Sequence, residues 1–161
     1  MTGSTSRRPP AEQARLDAAL IELFERQITF NQILGLTVTS VTAGDVRGRF
    51  EMKPDLVGHY AHGRLHGGVI ASVLDAMGGL ALMAAQGERH ASESAAQVMH
   101  RFMRFGTIDL RVDFLRQGVG RHFDVSTRVT RLGGRVGSVQ MELVNDEGTL
   151  IATASGAYNL T

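Results

Sequence analysis

The 161-residue sequence contains no cysteine and no tryptophan, and Lys53 is the one lysine among its 17 cationic side chains. Without cysteine, the chain has no disulfides, zinc–thiolate sites, iron–sulfur clusters or cysteine nucleophile. The formal net charge is only +1, and the arginines are interleaved with 16 acids, so the strong basic excess of a general nucleic-acid binder is missing. No apolar stretch follows the N-terminal arginines, as a signal peptide would require, and we expect a cytoplasmic protein that binds neither nucleic acid nor membrane.

The composition along the chain predicts a short tail and a single folded domain. Residues 1–10 are rich in Ser, Thr, Pro and Arg and are expected to be disordered, whereas residues 11–161 form the domain. Apolar residues at helical spacing predict an amphipathic helix from Ala11 to near Gly35. Residues 36–42 and 46–52 are predicted to form a hairpin, and residues 53–65 a loop.

The segment 67–86 is apolar on every side, which predicts a buried helix. It is nearly long enough to span a membrane, but Asp75 in its middle, the Gly78-Gly79 pair and the flanking strands argue against a span. A short helix is predicted within residues 95–103, and the segment 88–105 either covers a cleft or extends an interface. Four strands follow, near residues 107–115, 122–131, 136–144 and 150–158. In the first of these, alternation places Thr107 on the polar face, opposite Ile108 and Leu110.

This order of elements predicts an α+β fold in which a curved antiparallel sheet of about six strands wraps around one long buried helix. One face of a sheet cannot cover a helix that is apolar all round. We therefore expect a second copy of the chain to cover the rest, in a homodimer or a dimer of dimers.

Two features of the buried helix are candidates for a chemical role. His66-Gly67-Gly68 precedes it, and the first N–H groups of a helix can hold an anion or the oxyanion of an acyl-transfer intermediate. Asp75 is the one ionisable residue between Gly67 and Gln86, and an isolated carboxylate on an apolar helix is costly unless it meets a cleft or a partner. Either a neighbouring hydroxyl or arginine satisfies it, or it serves as a general base or nucleophile.

The spacing of these two features adds a constraint. Gly67 and Asp75 lie about 12 Å apart along one helix, so a single small carbonyl cannot contact both. If both act on one substrate, Asp75 comes from the other subunit across the dimer interface.

Two sequence stretches resemble the hotdog-fold acyl-CoA thioesterases, and most nearly the phenylacetic-acid-degradation (PaaI-type) branch. They are HGGVIASVLDAMGG at 66–79 and TIDLRVDFLRQG at 107–118. The resemblance implies the hotdog fold and hydrolysis of an acyl-CoA to a carboxylic acid and CoA. It also implies that Asp75 is the catalytic acid, that Gly67 and Gly68 supply amides to the thioester carbonyl, and that His66 is the histidine at the helix start.

The chain departs from this family where an asparagine usually precedes the histidine, because His59 and Tyr60 occupy those places. Two interpretations stay open: either His59, which can donate or accept a hydrogen bond, fills the role of the asparagine, or the change alters the specificity or lowers the rate. Arg116 and Arg121, with Arg64 third, are candidates for the CoA phosphates.

The acyl chain is expected beside the buried helix, in a tunnel lined by Val69, Val73 and Met77. The remaining histidines lack metal-ligand spacing, so we expect no metal and no cofactor beyond the CoA of the substrate.

Two other functions stay open at this point. A hydratase or dehydratase of the same fold could use His59 and Asp75 as its acid–base pair. A non-catalytic acyl-CoA binding or sensing domain would need only the cleft, and Asp75 would then be dispensable. The sequence decides neither the acyl chain length nor the choice between CoA and carrier-protein thioesters.

Overall fold

The computed structural model of the protein describes residues 7–161 and shows a six-stranded antiparallel sheet packed on a long helix. The six strands are β1 (Thr37–Thr42), β2 (Asp45–Glu51), β5 (Gly106–Phe114), β6 (His122–Leu132), β7 (Val136–Asn145) and β8 (Leu150–Asn159). Their order in the sheet is β1-β2-β6-β7-β8-β5. Two short strands, β3 (Val57–His59) and β4 (Arg64–Leu65), pair separately within the segment predicted as a loop.

The long helix is α3 (Gly67–Arg89), and it contacts every strand of the six-stranded sheet. The predicted α+β arrangement, with a sheet around one buried helix, is therefore confirmed. The length of α3 and its mean hydropathy of 1.8 would suit a membrane span, but 56% of its most apolar stretch is buried inside the protein. Packing against the sheet accounts for the apolar residues on the buried part of the helix.

The N-terminal segment is not the single helix that its spacing predicts. It consists of α1 (Pro10–Glu22), a π-helical turn (Leu23–Gln27) and α2 (Thr29–Leu34). Ile28 has extended geometry (ψ 96°), and the Asn31 side chain donates to the Phe24 carbonyl at 3.0 Å, which stabilises the break. The wider π turn and the break bring Phe24 and Asn31 to face α3.

The predicted disordered tail, residues 1–10, is only partly covered by the structure. Residues 1–6 lie outside the described residues. Arg8, by contrast, is 6% exposed, and its guanidinium donates to the carbonyls of Gly87, His90 and Glu93 near the end of α3. The folded domain therefore begins before Ala11, because Arg8 satisfies carbonyls that the end of α3 leaves without partners.

The segment 88–105 contains α4 (Ala95–Arg101) and a 3-10 turn (Phe102–Arg104). Ser94 caps α4 in a capping box, and the Ala95 N–H donates to the Glu12 carboxylate of α1 at 3.0 Å. These contacts tie α4 to α1, and Val98 of α4 also lies close to Gly87 near the end of α3.

Strand β5 lies at one edge of the sheet and contains a bulge. In the pairing with β8, Thr107 lies opposite Tyr158 and Asp109 opposite Ala157, so Ile108 is an extra residue. The bulge reverses the alternation before it and turns Thr107 to the helix side, whereas simple alternation places it on the polar face. Ile108 is 59% exposed and Phe114 57%, so this edge presents apolar side chains to the outside of the protomer.

Candidate active site

The start of α3 presents one unpartnered amide rather than the predicted two. The N-cap is His66, and its ring Nδ1 accepts a hydrogen bond from the Gly68 N–H at 2.9 Å. The Gly68 amide is thereby occupied, and the ring nitrogen Nδ1 must be unprotonated to accept it. Within residues 7–161 the Gly67 N–H makes no hydrogen bond, and it lies at the positive end of the helix. Gly67 is therefore the amide that is free to bind an oxyanion.

Asp75 lies two turns further along α3, half-buried, with one carboxylate oxygen held by two hydroxyls. Thr107 donates to Oδ1 at 2.8 Å, and the Tyr158 hydroxyl lies 3.2 Å from the same oxygen and 2.9 Å from the Asp75 carbonyl. Burial raises the pKa of the Tyr158 phenol, and the neighbouring Asp75 carboxylate raises it further, so Tyr158 stays a donor. No arginine contacts Asp75 among the described residues, which leaves the carboxylate without a neutralising cation.

A cleft of about 300 Å³ opens beside Asp75. Its walls come from α3, from the broken N-terminal segment and from the start of β5. It is lined by Phe24, Ile28, Phe30, Asn31, Ser72, Asp75, Ala76, Gly79, Met83, Phe105, Gly106, Thr107 and Tyr158. The lining is mostly apolar, so the cleft suits a hydrocarbon group, one end of which would lie next to the Asp75 carboxylate.

The residues predicted to line an acyl tunnel do not line this cleft. Val73 and Met77 are fully buried, and Met77 packs against Gly48 on the sheet side of α3. Val69 is half-buried near the helix start, outside the cleft. The helical period explains the difference, because Ser72 and Gly79 share a face with Asp75 that residues 73 and 77 do not.

His59 stands in β3, close to the start of α3 but away from Asp75. Its ring stacks on Tyr60 and on His62, with centroids 5.9 and 4.7 Å apart, and its Nδ1 is buried without a hydrogen-bond partner. Within residues 7–161 no hydrogen bond joins any histidine to Asp75. The acid–base pair of His59 and Asp75 that a hydratase would need is therefore not formed within the protomer.

The three candidate arginines differ in what already binds them. Arg121 forms an ion pair with Asp146 at 2.7 Å, which raises the pKa of Arg121 and lowers that of Asp146. Arg116 donates to the Leu150 carbonyl at 3.1 Å. Arg64, on β4 beside His66, has no side-chain partner in the described part of the chain. The arginine ranked third from the sequence is thus the one most available to a phosphate.

The sequence reasoning missed Thr107, Tyr158 and the N-terminal wall of the cleft as parts of this site. A signal for Tyr158 is present in the small residues around it, because Gly78 and Gly156 leave the space that its ring fills. The orientation of Thr107 depends on the bulge and has no local signal. Across residues 7–161 no group of three or more His, Asp or Glu side chains is placed to hold a metal ion.

Comparisons with known proteins bear on the family of this chain. The sequence profile described as "Thioesterase superfamily" matches residues 62–152. The medium/long-chain acyl-CoA thioesterase YigI of Escherichia coli is 38% identical over 137 residues, which are 85% of this chain and 88% of YigI. A crystal structure from Shewanella oneidensis, described as related to the thioesterase superfamily, is 37% identical with a TM-score of 0.89, covering 94% of this chain and 99% of the other.

The Escherichia coli PaaI protein from the phenylacetic acid degradation operon has the same fold, with a TM-score of 0.73 at 16% identity over 91% of this chain and 94% of that one. Fold, site and relatives together define a thioester hydrolase of the hotdog fold, as the resemblance in the sequence implied. The chain belongs to the Thioesterase superfamily.

Proposed function

We propose that this chain hydrolyses medium- and long-chain acyl-CoA thioesters, with Asp75 as the reacting acid. The observation that carries the proposal is the half-buried Asp75 carboxylate, which lies at an apolar cleft and is held by hydroxyls rather than by a cation. A cleft of 300 Å³ has room for about ten methylene groups if each fills about the 30 Å³ of a water molecule. The relative YigI, named for medium and long chains, supports the same substrate class.

The site requires two protomers, because Gly67 and Asp75 lie about 12 Å apart on one straight helix. Strand β5 runs beside α3 so that Thr107, near its start, contacts Asp75, while Phe114, at its end, lies beside Gly67. The free edge of β5 can pair with β5 of a second copy about a two-fold axis. Antiparallel pairing places the start of one β5 next to the end of the other, and so brings Asp75 towards the partner's Gly67.

This arrangement supplies the parts of an acyl-transfer reaction. The partner's Gly67 N–H stabilises the oxyanion that forms when the thioester carbonyl is attacked. In one route Asp75 takes a proton from the attacking water, and the tetrahedral intermediate expels the CoA thiolate, which then takes that proton. In the other route the Asp75 carboxylate attacks the carbonyl, CoA leaves, and water hydrolyses the resulting anhydride. Single-turnover hydrolysis in ¹⁸O-water identifies the second route when water attacks the Asp75 carbonyl of the anhydride, because ¹⁸O then stays in Asp75. Trapping of the anhydride by hydroxylamine, as a hydroxamate of Asp75, identifies it when water attacks the other carbonyl.

Other residues bind the substrate without taking part in bond changes. Arg64 is the first candidate for a CoA phosphate, with Arg116 next, since Arg121 is held by Asp146. His59 is a candidate to hold the carbonyl or the attacking water near the start of α3. The only cofactor-like group that this proposal needs is the CoA of the substrate itself.

The test measures CoA release with a thiol-reactive dye across acyl-CoAs of increasing length. Asp75→Asn is expected to abolish release. Gly67→Pro removes the free N–H yet suits the first helical position, and His66 already has the extended geometry (φ −65°, ψ 136°) that precedes proline. Gly67→Ala keeps the N–H and should retain far more activity than Gly67→Pro. Binding of acyl-CoA without release would refute hydrolysis in favour of sensing, and a change in double-bond absorbance would favour a hydratase.

A further inference from the structure

Tyr158 is a buried phenol that meets Asp75 from the sheet side. The tyrosine is 3% exposed, stands on β8 directly opposite Thr107, and places its hydroxyl 2.9 Å from the Asp75 carbonyl and 3.2 Å from Oδ1. It therefore contacts both the backbone and the side chain of the proposed catalytic acid.

The position of this phenol is fixed by two glycines, one on α3 and one on its own strand. A Cβ added at Gly78 would lie 2.5 Å from the Tyr158 hydroxyl, and one at Gly156 would lie 2.7 Å from its ring. Real Cβ atoms do not approach other atoms so closely, so any larger residue at either position would displace the ring. The chain thus leaves room for a tyrosine at this point, and the ring in turn has little freedom to move.

The two hydroxyls at Asp75 both lie within hydrogen-bond distance of the same carboxylate oxygen. Thr107 donates to Oδ1 and the Tyr158 hydroxyl reaches Oδ1 as well, whereas Oδ2 has no hydrogen-bond partner among the described residues. A carboxylate held at one oxygen cannot rotate freely about its terminal bond. Since Asp75 lines the cleft, Oδ2 is the carboxylate oxygen left available to a substrate there.

We propose that Tyr158 is a positioning residue that, together with Thr107, anchors Oδ1 of Asp75 and leaves Oδ2 as the oxygen that reacts. The inference rests on the proposed function, because it assigns Asp75 the chemical step. Among the described residues that line the cleft, Asp75 and Tyr158 are the titratable ones.

The test compares Tyr158→Phe with the unmodified protein in pH-dependent kinetics. Loss of the anchor is expected to lower kcat about tenfold while KM changes by less than about twofold, since orientation and not binding is affected. The acidic limb of the kcat/KM profile should also move to higher pH, because the ionised carboxylate loses a donor. Thr127→Val is the matched control, since it deletes a hydroxyl that donates to the Val46 carbonyl at the same 2.9 Å in β6, away from the site.

A second measurement covers the case in which Tyr158→Phe does not fold. The chain has two tyrosines, so fluorotyrosine incorporated in a Tyr60→Phe background labels Tyr158 alone. Its more acidic phenol is a stronger donor and should move the acidic limb to lower pH. The inference is overturned if neither variant moves the limb, or if the loss lies in KM, while Asp75→Asn is inactive. An active Asp75→Asn would instead refute the proposed function.

Discussion

The clearest test of the cleft as the acyl site is to fill it from Gly79. This residue lies on the cleft face of α3, and a Cβ added there would meet its nearest neighbour, a carbon of the Tyr158 ring, at an ordinary 3.8 Å. A side chain at this position can therefore extend into the cleft without displacing the helix. Gly79→Val adds three carbons and should remove the space of about three methylene groups out of about ten.

The size of the effect follows from the energy of burying hydrocarbon. Each buried methylene group contributes about 0.8 kcal/mol, which is about fourfold in an equilibrium or rate ratio. Acyl chains that fill the cleft should therefore lose about sixtyfold in kcat/KM in Gly79→Val, whereas chains three or more carbons shorter should lose little. Gly79→Ala should shift the same boundary by about one carbon.

The assay measures kcat/KM for straight-chain acyl-CoAs of about four to about sixteen carbons. These lengths lie on both sides of the about ten methylene groups that the cleft can hold. Ala85→Val provides the control, because it places the same side chain on α3 at a half-buried position outside the cleft. A uniform loss at all chain lengths, or an unchanged profile, would refute the assignment of this cleft to the acyl group.

Three further predictions concern the residues that support the site. His66→Ala should lower the free energy of unfolding by about 1 kcal/mol through loss of the cap on α3, and His66→Asn should restore most of it; equal melting curves for the two variants would contradict this. Gly78→Ala should lower the melting temperature although alanine normally favours a helix, because its Cβ would meet the Tyr158 hydroxyl. A higher melting temperature for this variant would contradict that close contact. The hydrogen bond from Arg101 lowers the pKa of Glu93, so Arg101→Gln should destabilise at neutral pH, and the difference in melting temperature should vanish as the pH falls well below 4.5. A difference that grows in acid would contradict that ion pair.

The buried helix and its acid could be predicted because their signals are local. An apolar stretch with a single carboxylate, preceded by His-Gly-Gly, needs no knowledge of the rest of the chain to indicate a helix start and an acid that lies on that helix. The constraint that Gly67 and Asp75 lie far apart also follows from helix geometry alone, and α3 is indeed one continuous helix. The use of the Gly68 amide by His66 was not predicted, because it depends on the orientation of a ring.

The walls of the cleft could not be predicted, because tertiary contacts create them. Apolar residues continue at helical spacing through the break at Ile28, and no glycine or proline marks it. The break is stabilised by the Asn31 side chain bonding the Phe24 carbonyl, a contact that the spacing does not encode. The helix was therefore predicted too long, and its contribution to the site was missed.

The orientation of Thr107 has a similar cause. The residues from Thr107 to Phe114 alternate cleanly in sequence, and only the pairing with β8 shows that Ile108 is an extra residue. The bulge turns a threonine predicted on the polar face towards Asp75. A one-residue irregularity in register thus decides which hydroxyl meets Asp75.

Mixed dimers test most directly whether each reaction centre combines Asp75 of one protomer with the Gly67 amide of its partner. Asp75→Asn and Gly67→Pro chains, each inactive alone, are co-expressed with different tags. Random assembly makes about half the dimers mixed, each with one intact centre, so about a quarter of the activity should return. Mixed dimers that are isolated through both tags and remain inactive would contradict the shared centre and place the reaction within a single chain.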